Sequence, residues 1–225
     1  MGFSYPVVLS LNQKDCLVVG GGQVALRKVK SLLQAGGLVT VVSPELHPEL
    51  VALQRQVAIR CYPESYREEF LDEKPYFLAV AATNSREINR RVAEDCRKRR
   101  ILVNVVDDPA SCDFILPAVF QQGKVTVAVS TGGSSPVLAR LVRDRIAGLL
   151  GPGLDAALSL LSVYRQKGKN IADEKRRKEL QEKIAQIVLT PENLELLTRG
   201  QQELIEERIK DVFGGGGAES QDGPS

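Results

Sequence analysis

Apolar and polar positions alternate along the first half of the chain in two rhythms. Short runs in which nearly every residue is apolar, at 16–20, 38–43, 57–61, 76–81 and 101–105, are separated by stretches with apolar residues every three or four positions. Runs of that length predict strands of a parallel sheet covered on both faces, because each side chain of such a strand meets a helix. The stretch 24–35 places Ala25, Val29, Leu32 and Leu33 on one helical face and turns Arg27, Lys28 and Lys30 away, while 85–100 repeats Ile88, Val92 and Cys96 at every fourth position. Strands and helices taking turns predict the α/β class, with a Rossmann-type doubly wound parallel sheet over residues 1–113.

The rhythm changes near Phe114. Residues 124–130 alternate Val125, Val127 and Val129 with smaller or polar neighbours and predict a further strand. Thr131-Gly132-Gly133-Ser134-Ser135-Pro136 then forms a turn into a helix, with Pro136 suited to the first helical turn. This strand–helix segment, 114–150, reads as a connector. After Gly151-Pro152-Gly153 strand signals cease, and 154–166, 173–188 and 191–212 predict helices of a small all-helical domain, 151–213, although Gly200 interrupts the last. The glycine-rich, polar end, 214–225, predicts a disordered tail.

Composition narrows the function. A chain of 225 residues accommodates one large domain or two modest ones, and 43% hydrophobic with 26% charged residues is ordinary for a soluble globular protein. A net charge of +2 lacks the concentrated basic face that nucleic acid requires. No run of about 18 apolar residues suggests a membrane span, and the start Met1-Gly2-Phe3-Ser4-Tyr5-Pro6 lacks the basic segment and apolar core of a secretory signal. Pro6 stands where a myristoylation signal needs Ser or Thr. A cytoplasmic protein is therefore expected. Cys16, Cys61, Cys96 and Cys112 are widely spaced, and the single histidine, His47, cannot form a cluster. Reduced, structural cysteines and no metal site are expected.

The chemistry begins at Gly20-Gly21-Gly22-Gln23-Val24-Ala25, which follows a strand and opens a helix. In a dinucleotide turn Gly20 allows the tight bend, Gly22 lets a pyrophosphate approach the backbone, and Ala25 lets helix and strand pack closely. The helix amino terminus offers N–H groups to the phosphates. The acidic ribose anchor often found about 20 residues later is replaced by Ser43, followed by Pro44 and Glu45. Ser43 can hydrogen-bond a ribose, and no arginine follows to favour a 2′-phosphate, so NAD is preferred to NADP.

Ligands of open α/β sheets sit beyond the carboxyl ends of the strands. Three such ends are chemically suggestive: Ala82-Thr83-Asn84, Asn104-Val105-Val106-Asp107-Asp108-Pro109, and Ser130-Thr131-Gly132-Gly133. The adjacent carboxylates Asp107 and Asp108 would point to opposite sides of an extended strand end, so one faces the cleft while the other turns the chain before Pro109. A carboxylate there can accept a proton as hydride leaves. Turn-forming aspartates before a proline are the plainer reading of the same residues.

Four motifs in order, Val18 to Lys28, Ala81-Ala82-Thr83, Asn104-Val105-Val106-Asp107, and Val127 to Arg140, resemble the precorrin-2 dehydrogenase family, which includes stand-alone enzymes and the amino-terminal module of siroheme synthase. The match runs from about Tyr5 to about Leu150. The resemblance implies NAD-dependent oxidation of precorrin-2 to sirohydrochlorin, with Asp107 as general base. Gly20, Gly22, Gln23, Val24, Ser43, Pro44, Glu45, Thr83 and Val105 would contact the cofactor, and Ser130, Thr131, Gly132 and Arg140 the substrate. Thr131 falls where some relatives carry a phosphorylatable serine. The family forms homodimers through the connector, which makes 114–150 a dimerisation segment. Some members also insert Fe²⁺ to make siroheme, and the same carboxylate is implicated in both activities. Arg140, Arg143 and Arg145, with Arg165, Lys167 and Lys169, are candidate partners for the tetrapyrrole carboxylates, although a solvated helix face is the favoured reading of each. A module that senses NAD(H) without chemistry needs neither the carboxylate nor the Ser-Thr-Gly-Gly turn. An ordinary alcohol or acid dehydrogenase would need a His, Lys or Tyr constellation near the cleft.

Overall fold

The computed structural model describes residues 5–214; the tail expected at 214–225 lies, beyond Gly214, outside the described residues. The chain forms two units, Met1–Leu116 and Pro117–Ser225. The connector segment from Pro117 onward and the helices that follow it belong to the second.

The first unit alternates β1 (Asp15–Val19), α1 (Gln23–Gln34), β2 (Leu38–Val42), α2 (Pro48–Arg55), β3 (Ile59–Tyr62), β4 (Leu78–Ala81), α3 (Arg86–Lys98) and β5 (Leu102–Val105), with 3-10 turns at Glu68–Leu71 and Pro109–Ser111. All strand pairs are parallel, in the order β3-β2-β1-β4-β5. The apolar runs have the expected cause. Cys16 and Val18 of β1 pack with Ala25, Leu26 and Val29 of α1, whereas the alternate residues Leu17 and Val19 pack with Val92, Ala93 and Cys96 of α3. Each face of β1 therefore needs an apolar side chain, and strict alternation with polar residues is impossible.

Two expectations change. The third strand starts at Ile59, not at Val57, because Val57 adopts φ +58° and closes the end of α2 with its N–H on the carbonyl of Gln54. Helix α2 itself was not foreseen. It is one eight-residue segment with a single buried side chain, Leu50, so its apolar signal is weak.

In the second unit, the strand expected at 124–130 is β7 (Val125–Val129), and it pairs antiparallel with β6 (Ala118–Gln122) through a turn at Gly123, φ +54°. Ser135 caps α4 (Pro136–Leu150), its hydroxyl accepting from the N–H of Leu138. Helices α5 (Leu154–Gly168), α6 (Glu174–Val188), α7 (Pro191–Thr198) and α8 (Gln202–Gly214) follow. Ala157, Leu160, Tyr164, Ile184, Val188, Leu194, Leu197, Ile205 and Ile209 form their core.

The single helix expected over 191–212 is two. Gly200, at φ +74°, ends α7 with its N–H on the carbonyl of Leu197, while the N–H of Gln201 reaches the carbonyl of Leu196. This is the Schellman arrangement, which a left-handed glycine favours. The break lets Leu194 and Leu197 share a core with Ile205 and Ile209. Among the described residues no single helix is long and apolar enough to cross a membrane.

Candidate functional site

Strand β1 lies between β2 and β4, so the chain leaves it in one direction for β2 and reaches β4 on its other side. Such a reversal of strand order opens a crevice at the carboxyl ends. Here it holds a cleft of about 760 Å³ within the first unit. The parallel ladders continue one residue past the strands, with Gly20 N–H on Val42 O (2.9 Å), Ala82 N–H on Val19 O (2.8 Å) and Val106 N–H on Ala81 O (2.9 Å). The loops that wall the cleft therefore start level with one another.

The glycine turn forms its floor, and each glycine answers a different demand. Gly20 has φ +122°, and a Cβ there would lie 2.3 Å from the carbonyl oxygen of Ala82. A Cβ on Gly21 would lie 2.0 Å from the carbonyl oxygen of Glu45, and the carbonyl of Gly21 accepts from the N–H of His47 at 2.7 Å. At Gly22 an added Cβ meets nothing within 4 Å. Gly22 is the amino cap of α1, contributes no side-chain hydrogen bond, and is followed by a first turn without an acidic residue. The first N–H groups of a helix have no intrahelical acceptor, so these stand ready for an anion. Among the described residues, no lysine or arginine lines the cleft. The residues thus fit a pyrophosphate held by backbone dipoles, with open space where it must approach.

At the end of β2, Ser43, Pro44, Glu45, Leu46 and His47 form one wall. The buried Ser43 hydroxyl donates to the carbonyl of Glu45 at 2.7 Å. Its proton is committed, and its lone pairs remain for a donor such as a ribose hydroxyl. His47 caps α2, with Nδ1 accepting from the N–H of Glu49. The opposite wall carries Ala82, Thr83, Asn84 and Ser85. Buried Asn89 of α3 holds that loop: Oδ1 lies 2.7 Å from Thr83 Oγ1 and 3.1 Å from Thr83 N, and Nδ2 donates to the carbonyl of Thr83 at 3.1 Å.

After β5 the consecutive aspartates separate. Asp107 lines the cleft, while Asp108 opens the turn at Pro109–Ser111 and accepts the Ser111 hydroxyl at 2.6 Å. That hydroxyl, with the backbone N–H groups of Ser111 and Ala110, holds the Asp108 carboxyl below the usual carboxylate range. The separation does not come from strand alternation. Asp107 stands at φ +60°, outside extended backbone altogether. Burial and the neighbouring Arg27 lower the half-buried Lys28 ammonium from its ordinary value, and the charge of Asp107 opposes that shift. Lys28 is thus the cation that senses Asp107 from α1.

Of the residues singled out in the sequence, Gly20, Gly22, Gln23, Val24, Ser43, Pro44, Glu45, Thr83 and Asp107 converge on this cleft. Val105 does not line it. Its side chain lies in the core, and the next residue, Val106, lines the cleft instead. Ser130, Thr131, Gly132 and Arg140 belong to the second unit. There the Thr131 hydroxyl accepts from the N–H of Ser135 and lies 3.1 Å from its carbonyl, and the N–H of Gly132 donates to Ser130 Oγ at 3.2 Å. Arg143 pairs with Asp144, and the Lys167 ammonium lies 4.8 Å from the centre of the Tyr164 ring.

His47, in the loop after β2, and Val106, after β5, also line the cleft, as do three residues not singled out for the site in the sequence, Ser65, Tyr66 and Ile88. Tyr66 follows β3, so the rule that ligands gather at carboxyl ends could have drawn attention to it. Its hydroxyl reaches Asp95 Oδ2 at 3.3 Å, and burial together with that carboxylate pushes the phenol far above its ordinary value. It remains a protonated donor.

A family model described as NAD(P)-binding matches residues 7–118, and one described as sirohaem biosynthesis protein central matches residues 122–149. Siroheme synthase of Thioalkalivibrio sulfidiphilus is 42% identical over 207 residues, covering 92% of this chain and 41% of the relative. Siroheme synthase of Chromobacterium violaceum is 45% identical over 161 residues, covering 72% of this chain and 34% of the relative. The chain thus spans less than half the length of the curated relatives it matches. The solved structure of SirC, precorrin-2 dehydrogenase, superposes with a TM-score of 0.72 at 26% identity, covering 92% of this chain and 100% of that one.

Proposed function

The chain belongs to the precorrin-2 dehydrogenase family, and from that membership we propose that it oxidises precorrin-2 to sirohydrochlorin with NAD⁺ as acceptor. The observation that carries the reading is the Asp107 carboxylate on the wall of a cleft floored by the glycine turn. Bound NAD⁺ supplies the hydride acceptor. The first N–H groups of α1, at Gln23 and Val24, would hold the pyrophosphate in the open space beside Gly22, to which the bend at Gly20 leads the chain, while Ser43, Pro44 and Glu45 would flank the ribose and Thr83 the opposite side. Asp107 takes the proton that the substrate loses with its hydride, so that two hydrogens leave precorrin-2 together.

Ser130, Thr131, Gly132 and Arg140 are assigned to the substrate. The cleft contains the carboxylates of Glu45 and Asp107 and no lysine or arginine among the described residues. Cations for the tetrapyrrole carboxylates must come from elsewhere, and exposed Arg140 is one such group. Homodimerisation is supported by α4, where Val137, Leu138, Leu141 and Leu149 are all more than half exposed. The cytoplasm is the assigned compartment.

Insertion of Fe²⁺ into sirohydrochlorin is the second reading, favoured by the name siroheme synthase that the relatives bear. Asp107 would then receive the displaced pyrrole protons. Incubation with precorrin-2 and NAD⁺ should yield NADH and sirohydrochlorin by absorbance; failure to form NADH would overturn the dehydrogenase assignment. Sirohydrochlorin with Fe²⁺ or Co²⁺ then separates a dehydrogenase from a bifunctional enzyme.

A further inference from the structure

Strand β5 is the last strand of its sheet, so one of its edges has no strand partner. The chain supplies partners by doubling back after the turn at Pro109–Ser111. The N–H of Asp113 donates to the carbonyl of Val103 at 2.8 Å, and Asp113 Oδ2 accepts from the N–H of Val103 at 3.0 Å. Asn104 Nδ2 reaches the carbonyl of Phe114 at 2.9 Å. Cys112 serves the third residue of this edge. Its Sγ accepts from the N–H of Val105 at 3.1 Å and lies 3.2 Å from the carbonyl oxygen of Val105 and 3.3 Å from that of Asp108.

Those two carbonyls belong to the first and last residues of the tight bend that carries Asp107, in which the N–H of Asp108 turns back toward Val105 O at 3.4 Å. Asp107, at φ +60°, stands in the left-handed region, which few residues other than glycine adopt although aspartate and asparagine do so more readily than most. We propose that Cys112 is a positioning residue for Asp107: its thiol clips together the two ends of the bend and fixes the direction from which the carboxylate enters the cleft. The clip needs a thiol, since S–H donates to a carbonyl while the sulfur accepts from an N–H. Burial, the largest influence on Cys112, raises its value and keeps that proton in place. A thiolate would lose the donor and set a negative charge against two carbonyl oxygens.

The inference rests on the dehydrogenase reading for its link to turnover, and amide exchange tests the clip separately. Cys112→Val keeps the approximate side-chain size and removes both hydrogen-bonding roles, while Cys112→Ser restores a donor and an acceptor. Cys112→Ala repeats the deletion should the valine variant fold poorly. Removing the clip should lower kcat for precorrin-2 about tenfold, as expected for a misdirected catalytic group. KM for both substrates and NADH affinity should stay within about twofold, and Cys112→Ser should recover most of the rate. Hydrogen exchange of the 105–108 amides should quicken in the valine and alanine variants and slow again in serine. Wild-type kcat and exchange in Cys112→Val would overturn the proposal. So would a loss of kcat that tracks NADH affinity and melting temperature, which marks a structural cysteine. If the unaltered protein does not turn over precorrin-2, the dehydrogenase reading falls, while unchanged exchange in the deletion variants would still remove the clip.

Discussion

Asp107 and Asp108 are consecutive in the chain but occupy separate surroundings: Asp107 turns into the cleft at φ +60°, whereas Asp108 is held by the Ser111 hydroxyl at 2.6 Å. One carboxylate remains available for chemistry, and its neighbour is spent on the turn that presents it. The arrangement differs from strand alternation in a way that matters. Alternation would involve only β5, whereas the observed bend is hydrogen-bonded to Ser111 and Cys112 beyond it.

Replacing the cleft-facing carboxylate tests its role. Asp107→Asn keeps the size of the side chain but cannot take up a proton. NADH production from precorrin-2 should fall by about 10²–10⁴ in kcat, with NADH affinity by fluorescence titration essentially unchanged. Near-normal turnover would remove Asp107 from the mechanism.

The acidic partner gives a pH prediction. Hydrogen bonds from Ser111 hold the Asp108 carboxyl below its ordinary value in the folded protein. A folded value lower than the unfolded one stabilises the fold above the unfolded value, about 3.9, and that contribution is lost as pH falls through the folded value. In a carboxylate NMR titration, Ser111→Ala should shift the Asp108 midpoint upward. An unmoved midpoint would assign the shift to another group.

The glycines of the turn should respond unequally. Gly22 borders open space, so Gly22→Asp should fold with a near-wild-type melting temperature and fail to bind NAD, because charge and bulk occupy the pyrophosphate position. Gly20→Ala places a Cβ 2.3 Å from Ala82 O at φ +122° and should damage the fold itself. Calorimetry with and without NAD⁺ distinguishes the two outcomes; equal loss of stability in both variants would contradict the different environments.

Cofactor choice should be alterable at the end of β2. Glu45 is an exposed carboxylate in a cleft without a lining lysine or arginine among the described residues. Glu45→Arg should strengthen NADP⁺ binding about tenfold or more, the scale of one charge-assisted hydrogen bond. Isothermal titration with both cofactors measures this, and an unaltered NADP⁺ affinity would place the 2′ position elsewhere.

A stability test follows from the break between α7 and α8. Nothing lies within 4 Å of a Cβ added to Gly200, so Gly200→Ala adds only the strain of φ +74°. Urea unfolding should show a loss of about 1–2 kcal/mol. Gly200→Asn should lose less, because asparagine tolerates the left-handed region better.

The residues by themselves determined the alternation of strand and helix, the burial of both faces of β1, and the glycine turn with its open approach at Gly22. These depend on neighbours close in sequence, and periodicity records them directly. The four-motif resemblance also singled out Asp107. The tertiary structure decided what meets across the cleft. Residues following β1, β2, β3, β4 and β5 converge there because β1 pairs with both β2 and β4, and no local pattern states that order. Tyr66 is not singled out by the sequence for this reason. Helix α2 was too short to display a repeat, and β6 was visible only through its pairing with β7. The left-handed bend at Asp107 and the Cys112 hydrogen bonds that span it arise from the chain folding back along an edge strand. Such contacts depend on the path of the chain in space, which hydrophobic patterning does not encode residue by residue.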